Sequence, residues 1–137
     1  FIKKDSGIVI KSKEDLKKYK LVKVSGVKHT NNITKGMSNV TDIQSTESMM
    51  KFLDKGRADV ALTNTVDGNL IIKKLGYTQI IPIDKPLAVL DLFTYIHQEH
   101  KDLVPKVDAM IKKMKANGEM KALVKKAEAQ VIENILK

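Results

Sequence analysis

The stretch "STESMMKFLDKGRADVALTN", residues 45–64, decides the fold prediction for this chain. Ser45 is a residue type that caps helices, and apolar side chains follow it at helical spacing, namely those of Met49, Met50 and Leu53. Gly56 stands where a helix commonly ends in a left-handed residue. The alternating run 58–62 then has the pattern of a strand, so the stretch predicts a helix followed by a strand.

The same arrangement recurs along the chain. Short apolar runs follow one another at nearly regular intervals, at 21–25, 39–43, 58–62 and 77–81. Between them lie helix signals: Ser12 and Asp15 have the spacing of a capping box, and "DGNLIIKKLG" ends on Gly76. Strands that alternate with helices form βαβ units, so residues 12–83 are predicted to build a mostly parallel sheet with right-handed crossovers.

The character of the sequence changes from residue 84. "KPLAVLDLFTYIH" is one long run that looks extended. A helix is predicted over roughly 99–116 because its apolar residues form a stripe at helical spacing: Leu103, Val104, Val107, Met110, Ile111 and Met114. Asn117–Gly118 ends it, and a second helix is expected to turn four residues inward: Met120, Leu123, Val124 and Ala127. These helices have no sheet of their own in this chain, so they must pack on something else.

Composition narrows the classes of function. A chain of 137 residues can enclose a real core, and no apolar run approaches the roughly 18 residues of a membrane span. The absence of cysteine excludes disulfide and thiolate chemistry. The net charge of +9 comes almost entirely from lysine and would suit nucleic acid, an anionic membrane or acidic ligands. Because the lysines are spread along the chain and only 4% of residues are aromatic, a nucleic-acid partner is not predicted.

Three segments, taken in order, resemble the extracytoplasmic solute-binding proteins of the type 2 periplasmic fold. They are "DLKKYKLVKVSG" (15–26), "GRADVALTN" (56–64) and "MKANGEMKAL" (114–123), and the likeness covers essentially the whole chain. Within that fold the sequence is similar to the polar amino-acid binding family 3 and its sensor-domain relatives. The resemblance implies an α/β, type 2 periplasmic-binding-protein-like fold, with one complete βαβ lobe and the C-terminal helices of the other lobe.

The resemblance also implies a division of the chain. Residues 1–11 would be a hinge strand, 12–83 lobe 2, 84–97 the returning hinge strand, and 98–137 the C-terminal helices of a partial lobe 1. The first half of lobe 1 would be missing. Apolar faces left open in this way favour a homodimer or a strand-swapped oligomer.

Two polar segments follow predicted strands at the edge where open α/β sheets bind ligands. Thr63 and Asn64 follow the third strand; the resemblance places Asn64 where amino-acid binders usually have an aspartate that holds the ligand's ammonium group. A neutral asparagine makes a neutral or anionic solute easier to accommodate. The loop after the first strand supplies Ser25, Gly26, Val27, Lys28, His29 and Thr30. The family grips a carboxylate there with a Gly-Thr pair; Val27 replaces the threonine, so the next three residues are either substitute donors or part of an ordinary polar loop.

Other candidate sites are weaker. "HQEH" (97–100) lacks the spacing of a zinc protease motif and is interpreted as a solvated helix start. Arg57 is expected to form a structural hydrogen-bond fork, and Asp59 to tie the turn together. No catalytic triad, Walker loop or Rossmann fingerprint occurs in the sequence. We therefore predict a protein that is not an enzyme and has no metal or cofactor.

The predicted function is capture of a small polar solute, an amino acid or another small anion or polar molecule, between two lobes. The domain would act in the periplasm or outside the cell, associated with the membrane if it is a lipoprotein. It would serve ABC transport or signalling, and an ABC transporter permease would be a partner. The alternative is a basic interaction domain that binds a macromolecule or an anionic surface. An enzyme on the same scaffold is a third option without a supporting motif.

Overall fold

The computed structural model describes residues 1–136, and the chain divides into two compact units, Phe1–Val89 and Leu90 onward. The first unit contains five strands: β1 (Ile2–Lys3), β2 (Leu21–Val24), β3 (Val40–Ile43), β4 (Val60–Leu62) and β5 (Ile80–Ile81). Its helices are α1 (Lys28–Ile33), α2 (Thr46–Asp54) and α3 (Thr65–Leu75), with a 3-10 helix at Glu14–Lys18.

The main sheet has the strand order β3-β2-β4, and both pairs of neighbours are parallel. Leu21 is paired with Val40 on one side and with Val60 on the other, so the three strands start together at one edge. A helix follows each of the strands β2, β3 and β4. The α/β fold with parallel strands is therefore confirmed.

The fourth apolar run does not join this sheet. Only Ile80–Ile81 forms a strand, and it pairs antiparallel with β1, in the register Ile2↔Ile81. The backbone N–H of Lys4 extends the pairing by donating to the carbonyl of Gln79 at 2.7 Å. The second sheet forms because β1 offers a free edge to the run, a long-range contact that periodicity does not encode.

The core of the first unit lies on both faces of the main sheet. On one face, Val22 and Ala61 pack with buried residues of α2 and α3: Met49, Met50, Leu53 and Ile72. On the other face, Leu21 packs with Val60, Leu62 and, from the 3-10 helix, Leu16. Adjacent residues of β2 thus enter opposite cores, as the period of a strand requires.

The predicted ends of α2 and α3 are present in the structure. The Ser45 hydroxyl accepts a hydrogen bond from the backbone N–H of Ser48 at 3.2 Å, which satisfies one free donor of the first turn. Gly56 follows α2 with φ of 67°, and Gly76 follows α3 with φ of 68°, a conformation that costs a glycine little. These signals bring the chain back toward the sheet after each helix.

The second unit contains a 3-10 helix, Gln98–Leu103, followed by α4 (Val104–Ala116) and α5 (Glu119–Leu136), which pack together. The helix predicted to begin near residue 99 therefore starts as a tighter turn. Leu123 and Val124 were expected to face inward, yet they are 54% and 47% exposed. Two helices by themselves cannot enclose an apolar stripe on both sides.

Residues 84–97 form no strand, although an extended returning strand was expected there. A strand needs a hydrogen-bonding partner, and no strand in residues 1–136 pairs with this segment. The hinge roles of 1–11 and 84–97, and the wider division into lobes, stay predictions. By length and hydropathy, none of the helices in residues 1–136 qualifies as a membrane span.

Candidate functional site

Two polar segments meet at the carboxyl edge of the main sheet. The strands β2 and β4 are adjacent and parallel, and their register ends with Lys23 opposite Leu62. Residues 25–30 and 63–64 therefore leave the sheet at the same edge, on strands that lie about 4.8 Å apart. This is the edge at which open α/β sheets bind their ligands. We call the two segments together the carboxyl-edge site.

The first loop of the carboxyl-edge site turns sharply into α1. Ser25 is exposed, and its backbone N–H donates to the carbonyl of Ile43 at 2.9 Å. This N–H group is therefore used in the pairing of β2 with β3. Gly26 has φ of 77°, which gives the chain its turn, and Val27 is the residue before α1. Lys28 is exposed at the start of the helix and presents its ammonium group to solvent.

The remaining two residues of this loop are less accessible than the sequence indicated. Thr30 is buried, and its hydroxyl donates to the Val27 carbonyl at 3.0 Å, so its proton is not free for a ligand. His29 is half-buried, and its Nε2 is shielded from solvent without a hydrogen-bond partner in the described part of the chain. Among the side chains of this loop, the donors that remain open are therefore those of Ser25 and Lys28.

Asn64 caps α3. Its Oδ1 accepts from the backbone N–H of Asp67 at 2.9 Å, and its Nδ2 donates to a carboxylate oxygen of Asp67 at 2.6 Å. Both residues are exposed, and Thr63 is half-buried beside them. Asn64 is thus a structural cap as well as a candidate ligand residue, and it holds a carboxylate at the carboxyl-edge site.

Asp67 was missed when the sequence was analysed. A helix cap followed three residues later by an acidic residue is a recognisable signal, and "NTVD" (64–67) has that spacing. Asn64 is neutral, but an acid follows it one helical turn later. The structure brings the two side chains into contact, so the edge carries a negative group after all.

Lys23 was missed for a different reason. A lysine inside a strand is usually directed to solvent, yet the Lys23 side chain is only 8% exposed. Its ammonium group donates to Oδ1 of Asn31 in α1 and forms an ion pair with the carboxylate of Asp42 in β3. A buried charge is stabilised only by such partners. Lys23 therefore ties α1 to two strands directly beneath the loop 25–30.

The other predicted side chains lie apart from the carboxyl-edge site. Asp59 accepts a hydrogen bond from the Lys20 backbone N–H at 2.7 Å and so joins the starts of β2 and β4. Arg57 was expected to form a hydrogen-bond fork; instead its exposed guanidinium lies 5.9 Å from the centroid of the Phe52 ring. A cation over an aromatic face gives a weak attraction rather than a directed contact.

The motif at 97–100 does not assemble a metal centre. His97 caps the 3-10 helix by accepting from the Glu99 backbone N–H at 3.4 Å, and both side chains are largely exposed. In the part of the chain that the structure describes, no three side chains of His, Cys, Asp or Glu are grouped closely enough to hold a metal ion.

An open depression of about 390 Å³ lies away from the carboxyl-edge site, beside the later part of α3 and β5. Its lining includes Asn69, Ile72, Lys73, Gly76, Tyr77, Thr78, Ile80 and Pro82. None of the predicted ligand residues borders it. The depression is therefore a separate feature of the surface.

The fold of this chain has a counterpart among known proteins. Among solved structures, the chain is similar to an ancestral arginine-binding protein bound to glutamine, with a TM-score of 0.63 and 20% sequence identity. The match covers 91% of this chain and 56% of that chain. No protein-family model and no curated protein matches the sequence.

At this level of identity, the comparison concerns the fold alone. The α/β architecture is a partial type 2 periplasmic-binding-protein-like fold, as the sequence predicted. The chain spans little more than half the length of its structural neighbour, at 56%.

Proposed function

We propose that this chain is a solute-binding domain that captures a small polar solute, of which an α-amino acid is the best candidate. The solute would bind at the carboxyl-edge site, against a second lobe that closes over it. The residues we assign to the wall are six of those predicted from the sequence, Ser25, Gly26, Val27, Lys28, Thr63 and Asn64, together with Asp67. The predicted residues His29 and Thr30 are left out of the wall because the His29 Nε2 is shielded and the Thr30 hydroxyl is buried. The domain would bind its solute without transforming it.

The observation that carries this proposal is the meeting of two polar loops at the carboxyl ends of adjacent parallel strands. Such an edge is where α/β sheets bind small molecules. The structural neighbour, an arginine-binding protein bound to glutamine, supports the choice of an amino acid. Uptake through an ABC transporter permease and signalling are both roles that such a capture step serves, in the periplasm or outside the cell.

The charges at the carboxyl-edge site match a zwitterion. Lys28 supplies an exposed cation on one loop, which suits a carboxylate. Asp67, held by Asn64, supplies a carboxylate on the other loop, which suits an ammonium group. The carboxylate of Asp67 would repel an anionic solute. We therefore prefer an amino acid to a simple anion as the ligand.

A ligand panel tests this proposal. We expect glutamine or arginine to raise the melting temperature of the chain and to give measurable heat in isothermal titration calorimetry. Glutarate, which has carboxylates but no ammonium group, should bind less well. If no α-amino acid stabilises the protein or gives binding heat, the proposal is wrong.

A matched pair of variants tests the role of Asp67. Asp67→Asn should weaken amino-acid binding by roughly 10-fold to 100-fold, because it removes a charge-assisted hydrogen bond. Asp5→Asn changes the net charge equally at an exposed position outside the carboxyl-edge site and should bind as the unmodified chain does. Equal affinities of the two variants for the amino acid would show that Asp67 does not contact the solute.

A further inference from the structure

The proposed solute site uses the carboxyl edge of the main sheet, whereas a group of cations lies at the opposite edge. Two segments lead into the strands there, residues 11–20 before β2 and residues 55–59 before β4. Together they contain seven cations, six lysines and Arg57, and three carboxylates, those of Glu14, Asp15 and Asp59. We call these two segments the basic edge.

Contacts of the backbone bring the two segments together. The N–H of Asp59 donates to the Lys20 carbonyl at 2.8 Å, and the Lys20 N–H donates to the Asp59 carboxylate at 2.7 Å. On the other side, the Asn39 amide before β3 donates to the Leu16 carbonyl at 2.9 Å. The 3-10 helix and the turn after α2 therefore lie along one edge of the sheet.

Two of the three carboxylates at the basic edge are already engaged. Asp15 pairs with Lys18 at 2.7 Å and accepts from the backbone N–H groups of Lys11 and Ser12. Asp59 accepts from the Lys20 backbone as described. The third, Glu14, has a pKa lowered by hydrogen bonds from its own backbone N–H and from Ser12, with a smaller contribution from the charge of nearby Lys17. None of the ion pairs within residues 1–136 includes the exposed side chains of Lys17, Lys20, Lys55 and Arg57.

We infer that the basic edge docks the domain on an anionic phospholipid bilayer. Lysine ammonium groups are compact, strongly hydrated charges that suit diffuse attraction rather than directed recognition. A row of such charges is attracted to anionic lipid headgroups. The low aromatic content, 4% of residues, argues against nucleic acid as the occupant. Docking through this edge leaves the carboxyl edge of the same sheet open, and it is independent of whether that edge binds a solute.

Vesicle sedimentation with the full 137-residue chain tests this inference. The chain should bind vesicles of phosphatidylcholine with phosphatidylglycerol, release them as salt rises, and ignore vesicles of phosphatidylcholine alone. The variant Lys17→Gln/Lys20→Gln/Lys55→Gln should bind about 100-fold less, because each lysine near an anionic surface contributes roughly fivefold. Circular dichroism and thermal unfolding confirm that the variant is folded.

The matched control removes the same charge elsewhere. Lys113→Gln/Lys115→Gln/Lys121→Gln changes three exposed lysines of α4 and α5 and should keep most of the binding. An equal loss in both variants would show that total charge, not this edge, attracts the lipid, and would overturn the inference. Absence of binding to the anionic vesicles, or tighter binding to single-stranded DNA than to those vesicles, would overturn it as well.

Discussion

At Gly68 the backbone of α3 touches the ring of Phe1. A Cβ atom placed on Gly68 would lie 2.1 Å from two carbons of that ring. The backbone of Phe1 is held against β4, because the Ala61 N–H donates to the Phe1 carbonyl at 2.9 Å, and the side chain is buried in the core. A glycine in the middle of a helix is ordinarily unfavourable, and here the close approach of an aromatic side chain explains it.

This contact predicts the effect of a single methyl group. Gly68→Ala should destabilise the chain by about 1–3 kcal/mol, because the overpacked ring must move out of a buried position. Urea unfolding followed by circular dichroism measures the loss. Asn69→Ala, one residue away at an exposed position, should be neutral or slightly stabilising, since alanine is the better helix former. Equal stability of Gly68→Ala and the unmodified chain would contradict the contact.

At the carboxyl-edge site, the sequence predicted the position of some residues but not their accessibility. The place of Ser25, Gly26 and Asn64 at the carboxyl edge was predicted because each comes soon after a strand; their contact with a solute stays a prediction. The burial of the Thr30 hydroxyl and of the His29 Nε2 was not found, since both depend on how α1 lies against the sheet. Sequence position predicts which residues are near an edge, while accessibility depends on packing.

At the scale of elements, Lys23 joins three of them, and its partners are unequal. The Asp42 side chain is 53% exposed, so water can hydrate it if the lysine is lost, whereas the lysine is buried. Removing the acid leaves a buried cation with Asn31 alone, which is the costlier change. The junction between β2, β3 and α1 is therefore sensitive to Asp42.

A pair of substitutions checks this asymmetry. Asp42→Ala should cost about 1–3 kcal/mol of unfolding free energy, as expected for the loss of a hydrogen bond to a buried charge. Lys23→Met, which replaces the cation by an apolar side chain of similar length, should stay within about 1 kcal/mol of the unmodified chain. Urea unfolding of both variants gives the comparison, and a larger loss for Lys23→Met would reverse the assignment.

The stability of the fold should depend on pH through Asp15, which lies in the first turn of the 3-10 helix. The hydrogen bond from the Lys18 ammonium, followed by those from backbone N–H groups, lowers the pKa of Asp15 to about 2. The unfolded value is about 3.9. Because the folded pKa is the lower one, this carboxylate stabilises the fold above about pH 4, and the contribution is lost as the pH falls toward 2.

Unfolding at several pH values measures this effect. Asp15→Asn should be less stable than the unmodified chain near neutral pH, and the difference should shrink as the pH falls from about 4 to about 2. Asp5→Asn provides the control for charge, because the carboxylate of Asp5 accepts no hydrogen bond from residues 1–136. A stability difference for Asp15→Asn that does not change with pH would contradict the prediction.

At the scale of the whole molecule, the segment at the start of the second unit is rich in exposed apolar side chains. Leu92 is 93% exposed, Phe93 71% and Tyr95 91%, and their neighbours Val89 and Leu90 are exposed as well. Isolated exposed apolar residues are common, but four within residues 90–95 of the second unit are a concentration of the kind that associates. We retain the prediction of a homodimer or strand-swapped oligomer on this ground.

Self-association should therefore depend on this segment. Light scattering after size-exclusion chromatography, over a series of protein concentrations, should show mass above that of a monomer. Leu92→Lys should shift the protein toward the monomer, because a charge in the contact must be desolvated. Val9→Lys alters a residue of the other unit that is 61% exposed and should leave the mass unchanged. A mass that is the same for Leu92→Lys and the unmodified chain would argue against this contact.

The sequence by itself determined the local elements: the cap at Ser45, the left-handed glycines at 56 and 76, and the alternating strands that enter two cores. Those features depend on residues within one turn or one strand, so a local pattern contains them. The order of elements then predicted the α/β class, because strands that alternate with helices form parallel sheets.

Only the tertiary structure decided the pairing of β1 with β5, the burial of Lys23 and the contact of Phe1 with Gly68. Each joins residues that are far apart along the chain or lie on different elements, and local periodicity is the same whether or not the contact forms. The carboxyl-edge site depends both on local sequence and on tertiary packing. Its loops follow from strand ends, whereas the side chains that remain free to meet a solute follow from how α1 and α3 pack.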